Sequence, residues 1–438
     1  MNSISFENFR QFKEFPTTDL GPITFLVGKN NSGKSTIVKA LLLISDFLKS
    51  GEMREFKFGN NVLEDANIVT YGRAITYGSD DEPFIRFKTT ISNFDIDIQI
   101  TGNDDDTNAN VIRFLVEDSR SKLFFRVEPA SSRIFLGMGK VGGFVKEENV
   151  PLFQFNRSID DLKEKLKASD LKKTDKEYLR MIDELNSLLE KEKMLKSNSE
   201  ESYENYLNRD MDDVPEEFLI DLPINWDYSL KDNMEAAQKI AMHMHDVEFR
   251  NNELNQETSL LFEEYRAFYH KKDDFRRTLE DYFEAISELE IYYLGANPSK
   301  QSGLFNVRDK GNALAQSIHK FYQLGILKDK GSEAYRFLIK WMSDKGFNIG
   351  SDLEVVMHGG EAYDVKISNS EGKLSLADKG MGSIQAMLLL FRIASIIQLK
   401  KGHHSVSKVI VEEPELNLHP NYQSKLAELF YDVWKEFG

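Results

Sequence analysis

The feature that most constrains this chain is the run GKNNSGKST, from Gly28 to Thr36. Its spacing, G-x-x-x-x-G-K-S, predicts a glycine-rich loop whose backbone N–H groups point at phosphate oxygens. The apolar run PITFLV precedes the loop, and STIVKALLLISDFL follows it with the apolar spacing of a helix. The sequence therefore predicts a buried strand, a phosphate-binding loop and a helix, in the order that such a loop requires.

Each residue type in this loop has a physical role. Gly28 and Gly33 let the backbone curl around the phosphates. Lys34 brings a positive charge to the β- and γ-phosphates, and the hydroxyl of Ser35 is suited to Mg²⁺. The start of the following helix adds the positive end of its dipole. The predicted nucleotide-binding residues are Gly28, Asn30, Asn31, Ser32, Gly33, Lys34, Ser35 and Thr36.

A second motif, SKVIVEEPELNLHP, lies near the other end of the chain, at residues 407–420. Its apolar residues 409–411 predict a buried strand that ends at two carboxylates, Glu412 and Glu413. A carboxylate in this place can hold Mg²⁺ through water, and its neighbour can polarise the attacking water. The alternative is an exposed acidic turn after a core strand, and the phosphate loop in the same chain favours the catalytic interpretation.

A third motif, LADKGMGSIQAMLLLFRIA, covers residues 376–394 and places Gly380 and Gly382 before a long apolar helix. Taken alone, the glycine pair predicts only a turn and a helix cap. Its place before the carboxylate strand makes it similar to the signature motif of ABC-type ATPases, whose helix points its N-terminus at the γ-phosphate held by a second subunit.

Together the three motifs resemble those of the ABC-type ATPases of the SMC and overcoming-lysogenization-defect (OLD) group; Glu-Glu-Pro-Glu followed by Leu-His-Pro is typical of the OLD-like branch. The resemblance implies ATP and Mg²⁺ as cofactors, with Lys34 and the catalytic base Glu413 as catalytic residues. It implies that Glu412, with Ser35, lies on the Mg²⁺ side, and that two subunits or more sandwich ATP. The residues it places near ATP across the subunit interface are Gly382, Ser383 and His419.

The chain departs from the resemblance in three respects. Family members continue after Leu-His-Pro to a strand and a Thr-His-Ser-like switch, whereas this sequence ends at Gly438 inside the preceding helix, so we expect that further residues follow. No stretch resembles a TOPRIM or HNH nuclease domain. The glutamine of the Q-loop has no clear counterpart, and the nearest candidate position is Asn67. One more similarity is Arg10 in ENFRQF, which resembles an N-terminal arginine that lies near the nucleotide in the family.

The spacing of apolar residues changes twice along the chain. Residues 1–157 alternate apolar and polar as strands do, residues 158–290 have helical spacing interrupted by Pro215 and Pro223, and residues 291–438 are mixed. We therefore predict an α/β fold: an ABC-type P-loop ATPase head built from residues 1–157 and 291–438, with an inserted helical or coiled-coil arm at 158–290.

The negative charge of the chain is concentrated in that insert. Residues 158–290 hold 35 Asp and Glu against 19 Lys and Arg, and the rest of the chain holds 37 of each, so the formal net charge of −16 belongs to the insert. Such a surface repels nucleic acid but suits a basic protein. We expect the insert to bind a separate effector, a nuclease or toxin; a dimerisation arm with a solvated acidic face, or direct sensing of the trigger, is the alternative.

Basic residues outside the insert leave nucleic-acid binding open, although solvated surface positions are favoured. They are Arg113, Arg120, Lys122, Arg126, Lys300, Arg308 and Lys310. The chain has no cysteine, and its N-terminus lacks the pattern of a signal peptide. The longest apolar run, AMLLLFRIASIIQL, is shorter than the ~18 residues of a membrane helix and carries Arg392. We expect a cytoplasmic protein that does not bind membranes.

Three functions remain open from the sequence. The first is an ATP-hydrolysing sensor or scaffold of an anti-phage defence system of the PARIS, Septu or OLD type, which holds and controls an effector. The second is an SMC-like ATPase of DNA repair or chromosome maintenance that clamps DNA; the neutral head disfavours it. The third is a nucleotide-dependent scaffold with little turnover, which the retained Glu413 disfavours.

Overall fold

The computed structural model places the chain in two compact units, one of Met1–Asp19 and Asn30–Ser287 and the other of Leu20–Lys29 and Glu288–Gly438. We call them unit 1 and unit 2. The structure describes residues 1–58, 68, 70–77, 84–139, 218–250, 256–295, 304–309, 312–370, 372–400 and 407–437.

Unit 1 contains a nine-stranded antiparallel sheet. Its strands follow the order β2-β1-β4-β5-β6-β7-β8-β9, and β3 pairs with β6. The strands are β1 (Ser3–Phe9), β2 (Phe12–Asp19), β3 (Glu55–Lys57), β4 (Ile85–Ile91), β5 (Phe94–Thr101), β6 (Asn108–Asp118), β7 (Leu123–Glu128), β8 (Arg133–Met138) and β9 (Phe218–Pro223).

The period-two pattern of this region produces a sheet with one apolar face, as predicted. In β4 and β5 every second residue is buried, and Phe87 lies opposite Ile98 with both side chains fully buried. The alternate residues carry charge: Arg86 forms an ion pair with Asp97 at 2.6 Å. Because strand side chains alternate between faces, the sequence of these two strands separates a core face from a charged face.

The described residues of unit 1 include the α-helices α1 (Lys34–Ser50), α2 (Tyr71–Ala74), α3 (Leu230–Arg250) and α4 (Gln256–Ser287). The predicted helix after the phosphate loop is α1, and it is confirmed. Phe47 of α1 packs against Phe56 and Phe114 with ring centroids 5.2 and 5.4 Å apart. These contacts fix α1 against the sheet core and thereby position the residues at its N-terminus.

The predicted helical insert is only partly described, since residues 158–217 lie outside the described residues. Its last part contains α3 and α4, which contact each other; Tyr282 of α4 packs against Phe125 with ring centroids 5.2 Å apart. It also contains β9, an apolar strand that the helical prediction did not include. The coiled-coil arm stays a prediction.

In its described part, unit 2 combines a two-stranded parallel sheet with a four-stranded antiparallel sheet and four α-helices. β15 pairs with β10 in the parallel sheet. In the antiparallel sheet β13 pairs with β12, with β11 and with β14. The elements are β10 (Glu290–Leu294), β11 (Phe305–Asn306), α5 (Ala313–Gln323), α6 (Glu333–Met342), β12 (Asp352–His358), β13 (Ala362–Asn369), β14 (Gly372–Ser375), α7 (Met381–Lys400), β15 (Ser407–Val411) and α8 (Pro420–Phe437).

Helix α7 is the centre of the core of unit 2. Leu390, Phe391 and Ala394 are fully buried, and α7 contacts both α5 and α6. It is long and apolar enough to cross a membrane, but 72% of its most apolar window is buried within the protein. The prediction that this run forms a buried helix is confirmed.

The prediction of a buried strand over PITFLV is wrong. Residues 22–27 form no strand, and Phe25 and Val27 are 66% and 87% exposed. An extended apolar segment becomes a strand only where a neighbouring strand supplies hydrogen-bonding partners, and none of the described strands pairs with this segment.

Candidate nucleotide-binding and catalytic motifs

The end of the phosphate loop has the conformation that the glycine at position 33 permits. Gly33 is the N-cap of α1 with φ 97°, in the left-handed region that favours glycine. Its carbonyl accepts hydrogen bonds from Thr36 N–H at 2.9 Å and Ile37 N–H at 3.3 Å. Lys34 and Ser35 are therefore the first residues of the helix, whose N-terminus carries the positive end of the helix dipole and favours anions.

The turn between β1 and β2 lies against this loop. Gln11 donates from Nε2 to the carbonyl of Asn31 at 3.3 Å. A Cβ atom on Gly33 would clash with the ring of Phe12, so a larger residue does not fit at this position. Gln11 and Phe12 belong to no motif, and their place next to Arg10 is the only signal for them in the sequence.

Arg10 occupies the same turn with a left-handed backbone, φ 56°. Burial, and then the positive charge of Arg73, lowers the pKa of Arg10 below its ordinary value. Two like charges near each other are costly unless an anion compensates them. The expectation that Arg10 lies near the nucleotide stays a prediction.

The residues of the loop differ in exposure. Lys34 is half-buried, Ser35 is exposed and Thr36 is buried, with 3% of its surface accessible. The exposed residues Gly28, Asn30, Asn31 and Ser32 complete the loop. The predicted binding residues thus offer backbone groups and the side chains of Lys34 and Ser35 to solvent, while the side chain of Thr36 belongs to the interior.

The carboxylate motif lies at the end of β15, as predicted. The parallel ladder continues one residue beyond the strand, because Glu412 N–H donates to the carbonyl of Leu294 at 2.9 Å. The hydroxyl of Tyr293 donates to Glu412 Oε2 at 2.8 Å. The strand is less buried than predicted: Val409 is 38% exposed, since β10 is the only described strand that pairs with β15.

Glu413 is exposed and has a left-handed backbone, with φ 46°. A residue with a side chain in this region costs about 1 to 2 kcal/mol. The turn that follows holds the conformation: Leu416 N–H donates to the carbonyl of Glu413 at 3.0 Å, and Leu418 N–H to that of Glu415 at 3.0 Å. Strain at a predicted catalytic residue is consistent with a functional role.

The predicted signature helix is α7, and its first turn touches the carboxylate loop. Ser383 N–H donates to the carbonyl of Gly380 at 2.9 Å. A Cβ atom on Gly382 would lie 2.8 Å from the carbonyl oxygen of Asn417. The structure therefore brings the glycine pair and the Glu413–His419 loop together within unit 2.

His419 stands at the start of α8. Its carbonyl accepts from Tyr422 N–H at 2.7 Å and from Gln423 N–H at 3.1 Å, and its Nδ1 accepts from Asn421 N–H at 3.3 Å. Acceptance at Nδ1 assigns the proton of the neutral ring to Nε2. The exposed ring thus keeps one N–H group for a partner.

A small cavity, about 20 Å³, lies beside Glu412. Gln385 and Arg392 of α7 line it with the backbone of β10 and β15. The amide oxygen of Gln385 is buried and has no hydrogen-bond partner among the described residues. A buried polar atom without a partner is costly, so Gln385 is a residue whose presence the packing alone does not explain.

The donor atoms of the two motifs suit Mg²⁺. Mg²⁺ prefers oxygen ligands and is commonly bound by one or two carboxylates together with nucleotide phosphates, not by an all-protein cage. In the described ranges no three His, Asp or Glu side chains gather into a metal-binding group. Glu412 in unit 2 offers a half-buried carboxylate and Ser35 in unit 1 an exposed hydroxyl, and each taken by itself is an oxygen donor of the kind that Mg²⁺ binds.

Four of the basic residues considered for nucleic-acid binding have acidic neighbours. Lys122 lies 3.6 Å from Glu117, and Arg126 lies 2.9 Å from Glu128 with only 3% of its side chain exposed. Arg120 and Arg308 have carboxylate partners at 3.9 and 3.5 Å. Burial, and then the charge of Arg126, lowers the pKa of Arg113. These pairings favour the solvated or structural interpretation over a nucleic-acid surface; Lys300, Lys310 and Asn67 lie outside the described residues.

A glycine loop that starts a helix, two carboxylates at the end of a parallel strand and a glycine-led helix define a P-loop ATPase of mixed α/β fold. The profile of the family AAA_15, AAA ATPase domain, matches residues 1–438, and the chain belongs to this family. The prediction that the chain is an ATPase of this broad class is confirmed.

Part of the chain is similar to an individual curated protein. Over 140 residues the chain is 33% identical to Endonuclease GajA of Bacillus cereus (strain HuB5-5), a match that spans 30% of this chain and 19% of that protein. The chain thus spans less than a fifth of the length of the curated relative that it matches.

Two solved structures are similar to the chain, each with a TM-score of 0.33. One is the Smc head domain with an extended coiled coil bound to the C-terminal domain of ScpA from Pyrococcus furiosus; it is 13% identical, and the match covers 99% of this chain and 87% of that one. The other is the Smc head domain with a coiled coil and joint from Pyrococcus yayanosii, 11% identical, with 99% and 90% covered.

Proposed function

We propose that this chain binds and hydrolyses ATP with Mg²⁺. The family match over residues 1–438 carries the proposal, since it spans all three motifs. Lys34 and the loop N–H groups hold the phosphates, Ser35 and Glu412 serve the metal, and Glu413 activates the attacking water. Mg²⁺ supplies charge neutralisation at the β- and γ-phosphates when it is bound.

The proposal includes an assembly of at least two copies. Gly382 and Ser383 lie in the first turn of α7, and the exposed ring of His419 keeps an N–H group. Donors at a helix N-terminus are suited to a γ-phosphate. If each of two copies presents these groups to the ATP bound by the other copy, ATP is sandwiched between them. ATP hydrolysis would then depend on assembly.

At the level of the cell, we propose an anti-phage defence ATPase in the cytoplasm that controls an effector. The resemblance to OLD-type defence ATPases and the 33% identity with a protein named an endonuclease support this role. The effector is expected to bind the acidic insert, residues 158–290, by charge complementarity. An effector with a basic substrate-binding face, such as a nuclease, meets that requirement.

The two other functions have less support. A DNA clamp needs exposed cations, and Lys122 and Arg126 are paired with carboxylates within the described residues. A scaffold with little turnover has no need of a glutamate at position 413, where the left-handed backbone makes any side chain costly.

Substitution of Lys34 tests the nucleotide site. Lys34→Ala removes the cation that the motif assigns to the phosphates, so we expect ATP affinity measured by calorimetry to fall at least tenfold and phage protection to be lost. Lys49→Ala is the matched control, because Lys49 is exposed at the other end of the same helix. Equal ATP affinity in both variants would show that the loop is not the phosphate site.

A further inference from the structure

We infer that Tyr293 is a positioning residue for magnesium binding: its hydroxyl sets the orientation of the Glu412 carboxylate. The inference rests on the proposed function, because it concerns the same metal. Neither the sequence motifs nor the resemblance assigns a role to this tyrosine, which lies on β10, far from Glu412 in the sequence.

Two contacts fix Glu412 at separate points. Its backbone N–H donates to the carbonyl of Leu294 at 2.9 Å, which extends the β10–β15 ladder, and its Oε2 accepts from the Tyr293 hydroxyl at 2.8 Å. A carboxylate attached at both its backbone and one oxygen has little freedom to rotate. Oε1 is then the oxygen available to the water shell of a metal.

The position of the tyrosine is itself constrained. Tyr293 lies opposite Ile410 in the parallel ladder. A Cβ atom on Gly295 would lie 3.2 Å from Cε1 and 3.3 Å from the hydroxyl oxygen of Tyr293, so the glycine leaves the ring the room that it occupies. The hydroxyl therefore reaches Glu412 from a strand of fixed register.

This arrangement matters because Mg²⁺ tolerates little deviation from octahedral geometry and retains water ligands. A carboxylate that acts through such a water must point in one direction. Groups that orient metal-binding carboxylates typically change metal affinity by 10- to 100-fold when they are removed. Tyr293→Phe removes the hydroxyl and keeps the ring in its place.

Tyr292→Phe is the matched control. Successive strand residues point to opposite faces, and the hydroxyl of Tyr292 interacts with Glu290, not Glu412. Burial, together with Glu290, raises the pKa of Tyr292 to about 12, so this hydroxyl stays protonated as a donor at neutral pH. The two variants thus lose the same atom from neighbouring positions on one strand.

The test is the affinity for Mn²⁺, a paramagnetic substitute for Mg²⁺, measured by electron paramagnetic resonance with the full chain and a non-hydrolysable ATP analogue. We expect Tyr293→Phe to weaken nucleotide-dependent Mn²⁺ binding about tenfold, with metal-free affinity for the analogue and the melting temperature unchanged. Tyr292→Phe is expected to match the wild type. Wild-type Mn²⁺ affinity in Tyr293→Phe would overturn the inference.

A double variant separates positioning from an independent effect. If Tyr293 acts through Glu412, then Tyr293→Phe adds no further loss of Mn²⁺ affinity to Glu412→Gln, whereas additive losses would overturn the inference. Absence of any nucleotide-dependent Mn²⁺ site in the wild type would instead contradict the proposed function. The two failures are therefore distinguishable.

Discussion

Gly382 has no room for a side chain, whereas Gly380, two residues earlier, has open space around it. A Cβ atom on Gly382 would lie 2.8 Å from the backbone carbonyl oxygen of Asn417, and a Cβ atom on Gly380 would have no atom within 4 Å. Backbone atoms cannot move aside as a flexible side chain can. Gly382 therefore sets the distance between the first turn of α7 and the loop that carries Glu413.

This difference predicts the outcome of two alanine substitutions. Gly382→Ala is expected to destabilise the fold by about 1 to 3 kcal/mol, the usual cost of overpacking, and to lower ATP turnover by displacing the Glu413 loop. Gly380→Ala is expected to leave both quantities near the wild type. Urea denaturation and phosphate release measure them. Equal effects of the two substitutions would show that the contact with Asn417 is unimportant.

At the residue scale, motif spacing predicts roles for Lys34, Ser35, Glu412 and Glu413, because phosphate and metal chemistry permits few residue types at those positions. It could not identify Tyr293. The tyrosine is one of two neighbours in EIYYL, and only the register of β10 against β15 shows which hydroxyl reaches Glu412.

At the scale of elements, β8 and β9 are neighbours in the sheet although residues 140–216 separate them in the sequence. Met138 lies opposite Phe218, and the pairing continues to Arg133 opposite Pro223. Antiparallel strands in this register can be joined by a short hairpin. The part of the acidic insert between them can therefore be removed without removing a described strand or helix.

We predict that a short Asn-Gly hairpin in place of residues 140–216 leaves ATP binding intact and abolishes co-purification of the effector. The physical reason is that the substitution removes 17 of the 35 acidic residues of the insert while the sheet pairing is kept. Calorimetry with ATP is the control for folding. Full retention of the effector by the shortened chain would refute docking on this part of the insert.

Helices were easier to predict than strands in this chain. The apolar residues of α1 recur on one face of the helix, and those of α7 lie on all faces. Both helices occur as predicted. PITFLV and residues 218–223 are apolar runs of similar length, yet only the second pairs with a strand. A local run of six apolar residues favours an extended backbone. Whether it becomes a strand depends on a partner strand from another part of the chain, and the six residues do not specify that partner.

At the scale of the whole molecule, the distribution of charge along the chain distinguishes the two candidate partners, nucleic acid and a basic protein, more clearly than the net charge does. Outside residues 158–290 the 37 acidic and 37 basic residues balance, and within the described part several of those cations lie beside carboxylates. The excess of −16 in the insert is then the feature available to a basic protein. Composition alone indicated this separation, but only the structure showed the individual ion pairs.

The central claim, ATP hydrolysis with Glu413 as the base, is tested most directly by phosphate release from Glu413→Gln beside the wild type. Glutamine cannot accept the proton of water, so we predict turnover at least about 100-fold lower with ATP affinity unchanged. Glu415→Gln, an exposed glutamate in the same loop, is predicted to hydrolyse ATP at the wild-type rate. Wild-type turnover by Glu413→Gln would contradict the assignment.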